Sequence, residues 1–83
     1  MRSYLVEAYA SPTTQVTDLH RAAREAALTS TLAGVAVHHV TTILIRDDET
    51  CFHVFDADSV EAVRSAAERG AIRAHRIVPA EAR

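Results

Sequence analysis

Aromatic and β-branched residues crowd the start of the chain, where Ser3 to Tyr9 reads S-Y-L-V-E-A-Y and stops at the breaker pair Ser11 and Pro12. That run predicts a first strand, with Tyr4, Val6 and Ala8 on one side and Leu5, Glu7 and Tyr9 on the other. The period then changes. From about Thr14 to Leu32 the apolar positions Val16, Leu19, Ala23, Ala26, Ala27 and Leu32 recur at steps of three and four, with Asp18, Arg21, Arg24 and Glu25 between them. This is an amphipathic helix. The Thr-rich lead-in offers N-caps, and Gly34 can take the left-handed position that ends it.

Val35 to Ile45, V-A-V-H-H-V-T-T-I-L-I, has seven β-branched residues in eleven and predicts a second strand. Arg46 to Glu49 is a polar turn. Thr50 to Asp56, T-C-F-H-V-F-D, is the third strand and pairs with the second as a hairpin. Asp58 is the expected cap of a second helix, with Glu61 three residues on and Val60, Val63 and Ala67 as its apolar stripe. Gly70 reads as the stop, Ala71 to Val78 as a closing strand halted by Pro79, and Ala80 to Arg83 as a loose tail. The order β-α-β-β-α-β predicts an α+β ferredoxin-like plait over residues 1–79, a four-stranded antiparallel sheet with two helices on one face.

One face of such a sheet is bare, and strand parity decides what it shows. A two-residue loop at Asp47 and Asp48 sets Leu44 opposite Cys51, Thr42 opposite His53 and Val40 opposite Phe55, all sharing a face with His38. The opposite face carries His39, Thr41, Ile43, Ile45, Phe52, Val54 and Asp56, and this larger apolar set is expected under the helices. The first face is then the open one. Val40, Leu44 and Phe55 on it exceed what a monomer leaves wet, so a homodimer through open sheet faces is expected. With the first and third strands read as parallel neighbours, Glu7 and Tyr9 come near His53 on that open face.

Composition supports the dimer. Of 83 residues, 48% are apolar, but sixteen are Ala and none is Trp, so one protomer has little bulk for a core. The nine basic residues are all Arg against eleven acids, a net charge of -2 that lacks the cationic excess of a nucleic-acid binder. No apolar run is long enough to span a bilayer, and the first ten residues do not read as a secretory signal. A single cysteine, Cys51, points to a reducing, cytoplasmic setting.

Five histidines remain to be explained: His20, His38, His39, His53 and His75. Cys51 and His53, spaced C-x-H on a strand, point to one face, and parity brings His38 and Glu7 to the same face. Glu7, His38, Cys51 and His53 therefore make a candidate set of ligands for a divalent metal, with nickel, zinc and copper all suited to imidazole. The competing reading of Glu7 and His53 is an ion pair sealed in a dimer. Cys51 is equally a small buried hydrophobe, the commonest state of that residue. His20 and His75 read as surface side chains, and the adjacent His38 and His39 point to opposite faces. No C-x-x-C or H-E-x-x-H spacing, catalytic triad or glycine-rich phosphate loop is present.

The block Asp48 to Arg64, D-E-T-C-F-H-V-F-D-A-D-S-V-E-A-V-R, resembles the small ferredoxin-like proteins of domain-of-unknown-function family 4242, some of which bind nickel. Tyr4 to Glu7 and Arg76 to Val78 look like that family's first and last strands, so the resemblance runs the length of the chain. It implies a ferredoxin-like dimer and bound nickel, with Glu7, Cys51 and Phe52 matching by position. His53 stands where relatives often carry another residue, including Cys.

Three functions follow. The first is a small cytoplasmic metal-binding protein that sequesters or buffers nickel, with affinity falling as pH drops through the histidine range near ~6.5. The second is a dimeric monooxygenase- or isomerase-type enzyme using His39 or His53 on a small organic substrate, favoured by a deep apolar pocket with a buried histidine and no clustered metal ligands. The third is a structural dimerisation module, favoured by histidines that are all exposed and scattered.

Overall fold

The computed structural model describes residues 1–81. The elements are β1 (Arg2–Tyr9), α1 (Val16–Leu32), β2 (Val37–Ile45), a 3-10 turn (Arg46–Asp48), β3 (Thr50–Ala57), α2 (Val60–Arg69) and β4 (Ala74–Ala80). The sheet order is β2-β3-β1-β4 with every pairing antiparallel, and both helices cover one face, which is the ferredoxin-like plait. β1 and β3 are neighbours, but antiparallel rather than parallel, because the crossover makes β1 parallel to β2 and the hairpin then reverses β3. Pro79 lies inside β4 opposite Tyr4, which an edge strand tolerates. Ala80, expected to open a tail, pairs with Ser3; Ala82 and Arg83 lie outside the described residues.

The hairpin pairs as its sequence predicts from Ile45↔Thr50 to Thr41↔Val54, although the turn is longer, with Glu49 in the left-handed region at φ 48°. Beyond Thr41 the register slips, leaving Val40 as an extra residue and setting His39 opposite Phe55 and His38 opposite Asp56.

The two faces are the reverse of the sequence-based assignment. Cys51, His53 and Phe55 lie under the helices, Phe55 at 0% exposure, while Ile43 and Ile45 are exposed on the open face. Apolar bulk was the wrong criterion, because the helices meet the sheet through alanines. Ala23, Ala27, Ala62 and Ala66 close onto Tyr4, Val6, Phe55 and Ala57, so Phe55 with small neighbours fills the interior. The open face carries, in rows across the sheet, Ile43, Phe52, Glu7 and Arg76, then Thr41, Val54, Leu5 and Val78.

The helix ends differ from expectation in instructive ways. Gln15 stands at the N-cap of α1 without a side-chain bond, so the threonines do not cap it, and Ser59 rather than Asp58 caps α2, accepting from the Ala62 N–H at 3.2 Å. Both helices close in Schellman motifs. In α1, Val35 N–H reaches the Ser30 carbonyl and Gly34 N–H that of Thr31, with Gly34 left-handed at φ 96°. In α2 the same bonds run from Ile72 to Ala67 and from Ala71 to Glu68, but the left-handed residue is Ala71, at φ 56°. Gly70 is glycine for another reason: a Cβ there would lie 2.5 Å from the Cβ of Ala26, where α2 ends against α1. Ala71→Gly is therefore expected to stabilise the protein by about 1 kcal/mol, and Gly70→Ala to destabilise it by about 1–3 kcal/mol. Urea midpoints that move together in one direction would contradict this.

Candidate metal centre

Of the four ligands expected from sequence, only two meet. Cys51 Sγ and His53 Nε2 are 3.6 Å apart on β3, both nearly inaccessible, at 1% and 2% exposure. Glu7 alternates out of β1 onto the open face, where it pairs with Arg76 at 3.4 Å. His38 is exposed opposite Asp56, two rows of pairs and two strands away from Glu7. The sheet itself separates Glu7 and His38 from Cys51 and His53, because faces alternate along every strand. Among the described residues no group of three or more His, Cys, Asp or Glu side chains is placed to hold a metal ion.

In place of that quartet stands a hydrogen-bonded line that the sequence did not reveal. His53 Nδ1 meets Thr42 Oγ1 at 2.8 Å, and Thr42 Oγ1 meets His39 Nε2 at 2.8 Å. The His39 ring lies edge-on to His20 of α1 with centroids 4.6 Å apart. The bulge at Val40 creates this arrangement, since it turns His39 onto the face of Thr42 and leaves His38 outside. Two residues i and i+3 on a strand ordinarily point apart, so no periodicity rule pairs His39 with Thr42; His38, His39, Thr41 and Thr42 clustered around Val40 in a strand otherwise apolar are the available signal.

The charge states follow from burial. His53 is pulled down to about 4, chiefly by loss of hydration and then by the neighbouring His39 and His20. His39 is lowered by burial first, then by His20 and, more weakly, Arg24, against a hydrogen bond with the Thr41 backbone that favours protonation. Burial pushes the Cys51 thiol up. The pair is thus a neutral imidazole beside a neutral thiol. The Thr42 hydroxyl bridges His39 Nε2 and His53 Nδ1, so it can donate to one ring and accept from the other. The other ring nitrogen of His53, Nε2, faces Cys51. A metal-ligating histidine is usually oriented by a carboxylate, backbone carbonyl or water at its outer nitrogen, and here the Thr42 hydroxyl stands in that place.

Cys51 and His53 form part of the lining of a pocket of about 590 Å³ between α1, the α2–β4 turn and the sheet. Leu19, Ala22 and Ile72 give it apolar walls, and Tyr9, Arg73 and His75 also line it.

The model of the nickel-responsive SCO4226-like proteins matches residues 4–79, nearly the whole chain. The chain belongs to that family. No curated protein matches it. Among solved structures, SCO4226 from Streptomyces coelicolor A3(2) superposes with a TM-score of 0.74 at 23% identity, covering 96% of this chain and 99% of that one, a likeness of fold. For this SCO4226-like chain the family's name points toward nickel, and Cys51 and His53 are the two expected ligands that come together. No helix among the described residues is long and apolar enough to cross a membrane.

Proposed function

We propose that this protein binds nickel as cargo at Cys51 and His53 and acts as a small cytoplasmic sequestering or buffering protein. The observation that carries the reading is the Sγ to Nε2 separation of 3.6 Å. Two ligands of one tetrahedral ion at zinc-like lengths, about 2.3 Å for sulfur and about 2.0–2.1 Å for nitrogen, stand roughly 3.5 Å apart, and a square-planar nickel would draw them to roughly 3.1 Å. A thiolate with an imidazole is also a donor pair that nickel, zinc and copper accept. The residues fit half of a coordination shell. The family's nickel-responsive name, and the nickel binding implied by the resemblance to domain-of-unknown-function family 4242, favour nickel among these ions.

The pH dependence changes from the sequence-based expectation. His53 does not compete for protons until pH nears 4, whereas the Cys51 thiol must lose its proton when metal binds. Nickel affinity is expected to rise about tenfold per pH unit across neutrality, following thiolate formation. Calorimetric titration of untagged protein checks this. Cys51→Ser should remove that slope and His53→Ala should weaken binding strongly; absence of binding at micromolar nickel in the unaltered protein would sink the reading.

We also infer that a second copy covers the open sheet face. Leu5, Phe52 and Val54 form its apolar centre, with Ile43 and Val78 beside them, and no described segment of the chain covers it. Glu7 and Arg76 lie side by side on the same face, so a two-fold related copy can set each against its opposite charge.

The enzymatic reading gains the pocket and the buried histidine. An imidazole held near 4, however, is a weak base at neutral pH, which favours the metal reading.

A further inference from the structure

We propose that Thr42 and His39 are positioning residues for His53: they hold its ring proton on Nδ1, so that Nε2 presents its lone pair toward Cys51. The inference rests on the nickel reading and concerns how the protein readies one donor before the ion arrives. Which nitrogen of a histidine is free for a metal is set by the hydrogen bond that the other nitrogen makes.

Two proton arrangements fit the distances along the line. In the first, His53 Nδ1–H donates to Thr42 Oγ1, the Thr42 hydroxyl donates to His39 Nε2, and the Cys51 thiol donates to His53 Nε2. In the second the order is reversed: His39 Nε2–H donates to Thr42, the Thr42 hydroxyl to His53 Nδ1, and His53 Nε2–H to Cys51 Sγ. The two differ at the sulfur. Cys51 is 1% exposed, and among the described residues Sγ has no hydrogen-bond partner besides His53. The reversed order therefore buries an S–H without an acceptor and turns a ring N–H, a good donor, toward a weakly accepting sulfur. The first order gives each of these protons an oxygen or nitrogen acceptor, which a buried polar cluster favours.

Packing keeps the rings from turning out of this line. His39 lies between His20 and Phe55, with centroids 4.6 and 5.5 Å away, and His53 lies 6.1 Å from the same Phe55 ring. The bulge at Val40 keeps His39 on the face of Thr42, and both residues are only partly exposed, so water competes weakly for the hydroxyl. Nickel then meets a free Nε2 lone pair with no proton to be moved along the line. In the reversed order the whole line would have to turn over first.

The test reads the ring nitrogens of His53 by nitrogen NMR in the untagged, nickel-free protein at neutral pH, beside calorimetric titration of the same samples with nickel chloride. Nδ1 is expected to resonate as a protonated nitrogen and Nε2 as an unprotonated one. Thr42→Val removes the hydroxyl, and should shift the proton toward Nε2 and weaken nickel binding about tenfold. Thr42→Ser should restore both. His39→Phe keeps a ring beside Phe55 but removes Nε2, and should move both readouts in the same direction by less. Thr41→Val, one residue away on the open face, should move neither. A proton on Nε2 of His53 in the unaltered protein overturns the inference and leaves the nickel reading standing. So does a Thr42→Val variant that binds nickel as before, or that loses affinity with the proton still on Nδ1. No uptake of nickel by an unaltered protein whose proton sits on Nδ1 overturns the nickel reading alone.

Discussion

Phe55→Ala is expected to cost about 3–5 kcal/mol of folding stability, whereas Phe52→Ala, three residues earlier on the same strand, should cost a protomer less than about 1.5 kcal/mol. The two rings have the same chemistry and opposite surroundings. Phe55 lies at 0% exposure among Tyr4, Val6, Ala57 and Val63, where truncation opens a void that alanine-faced helices cannot fill. Phe52 lies on the open face beside Ile43 and Glu7. For a domain of this size the Phe55 loss lowers the melting temperature by more than about 12 °C. Phe52→Asp should act elsewhere, leaving the protomer folded and shifting the protein to monomer in sedimentation or light scattering. Equal destabilisation by the two alanine variants would contradict the assignment of faces.

That contrast shows what the amino-acid pattern could and could not convey. The period of apolar residues and the β-branched runs give every element in order, and the short acidic turn gives the hairpin pairing from Thr41 to Ile45 correctly. Alternation says which residues share a face but not which face is covered. Ranking faces by bulk fails here because Ala23, Ala27, Ala62 and Ala66 bring the helices so near that a small, partly polar sheet face fits beneath them. The candidate site inherits that error. Cys51 and His53 were legible as a pair from their C-x-H spacing, yet Glu7 and His38 were joined to them only by placing all four on one side. The bulge at Val40, which brings His39 to Thr42, depends on how β2 bends over β3 and has no glycine or proline to announce it. The proposed dimer now rests on other residues, Leu5, Phe52 and Val54 in place of Val40, Leu44 and Phe55.

Acid should expose the cost of the buried imidazole. In the unfolded chain His53 takes up a proton near 6.5, while in the folded nickel-free protein it does so only near 4. Between those values the unfolded state binds more protons, so stability falls as pH drops from about 6.5 to about 4, and by about 3 kcal/mol in total if His53 alone is counted. His39, lowered in the same direction, adds to the loss. His39 and His20 oppose its charge, and its hydrogen-bond partners are Thr42 and Cys51, neither of them a carboxylate that would hold the imidazolium. Urea unfolding at pH 7, 6, 5 and 4.5 should show a steady fall in midpoint, and His53→Asn should flatten it over the upper part of that range. The ring carbon resonances of His53 should hold their neutral shifts down to about pH 5 in the folded state. A midpoint profile identical in His53→Asn, or a His53 resonance titrating near 6.5, would show that the imidazole is not held neutral beside Cys51, and the donor geometry proposed for nickel would fall with it.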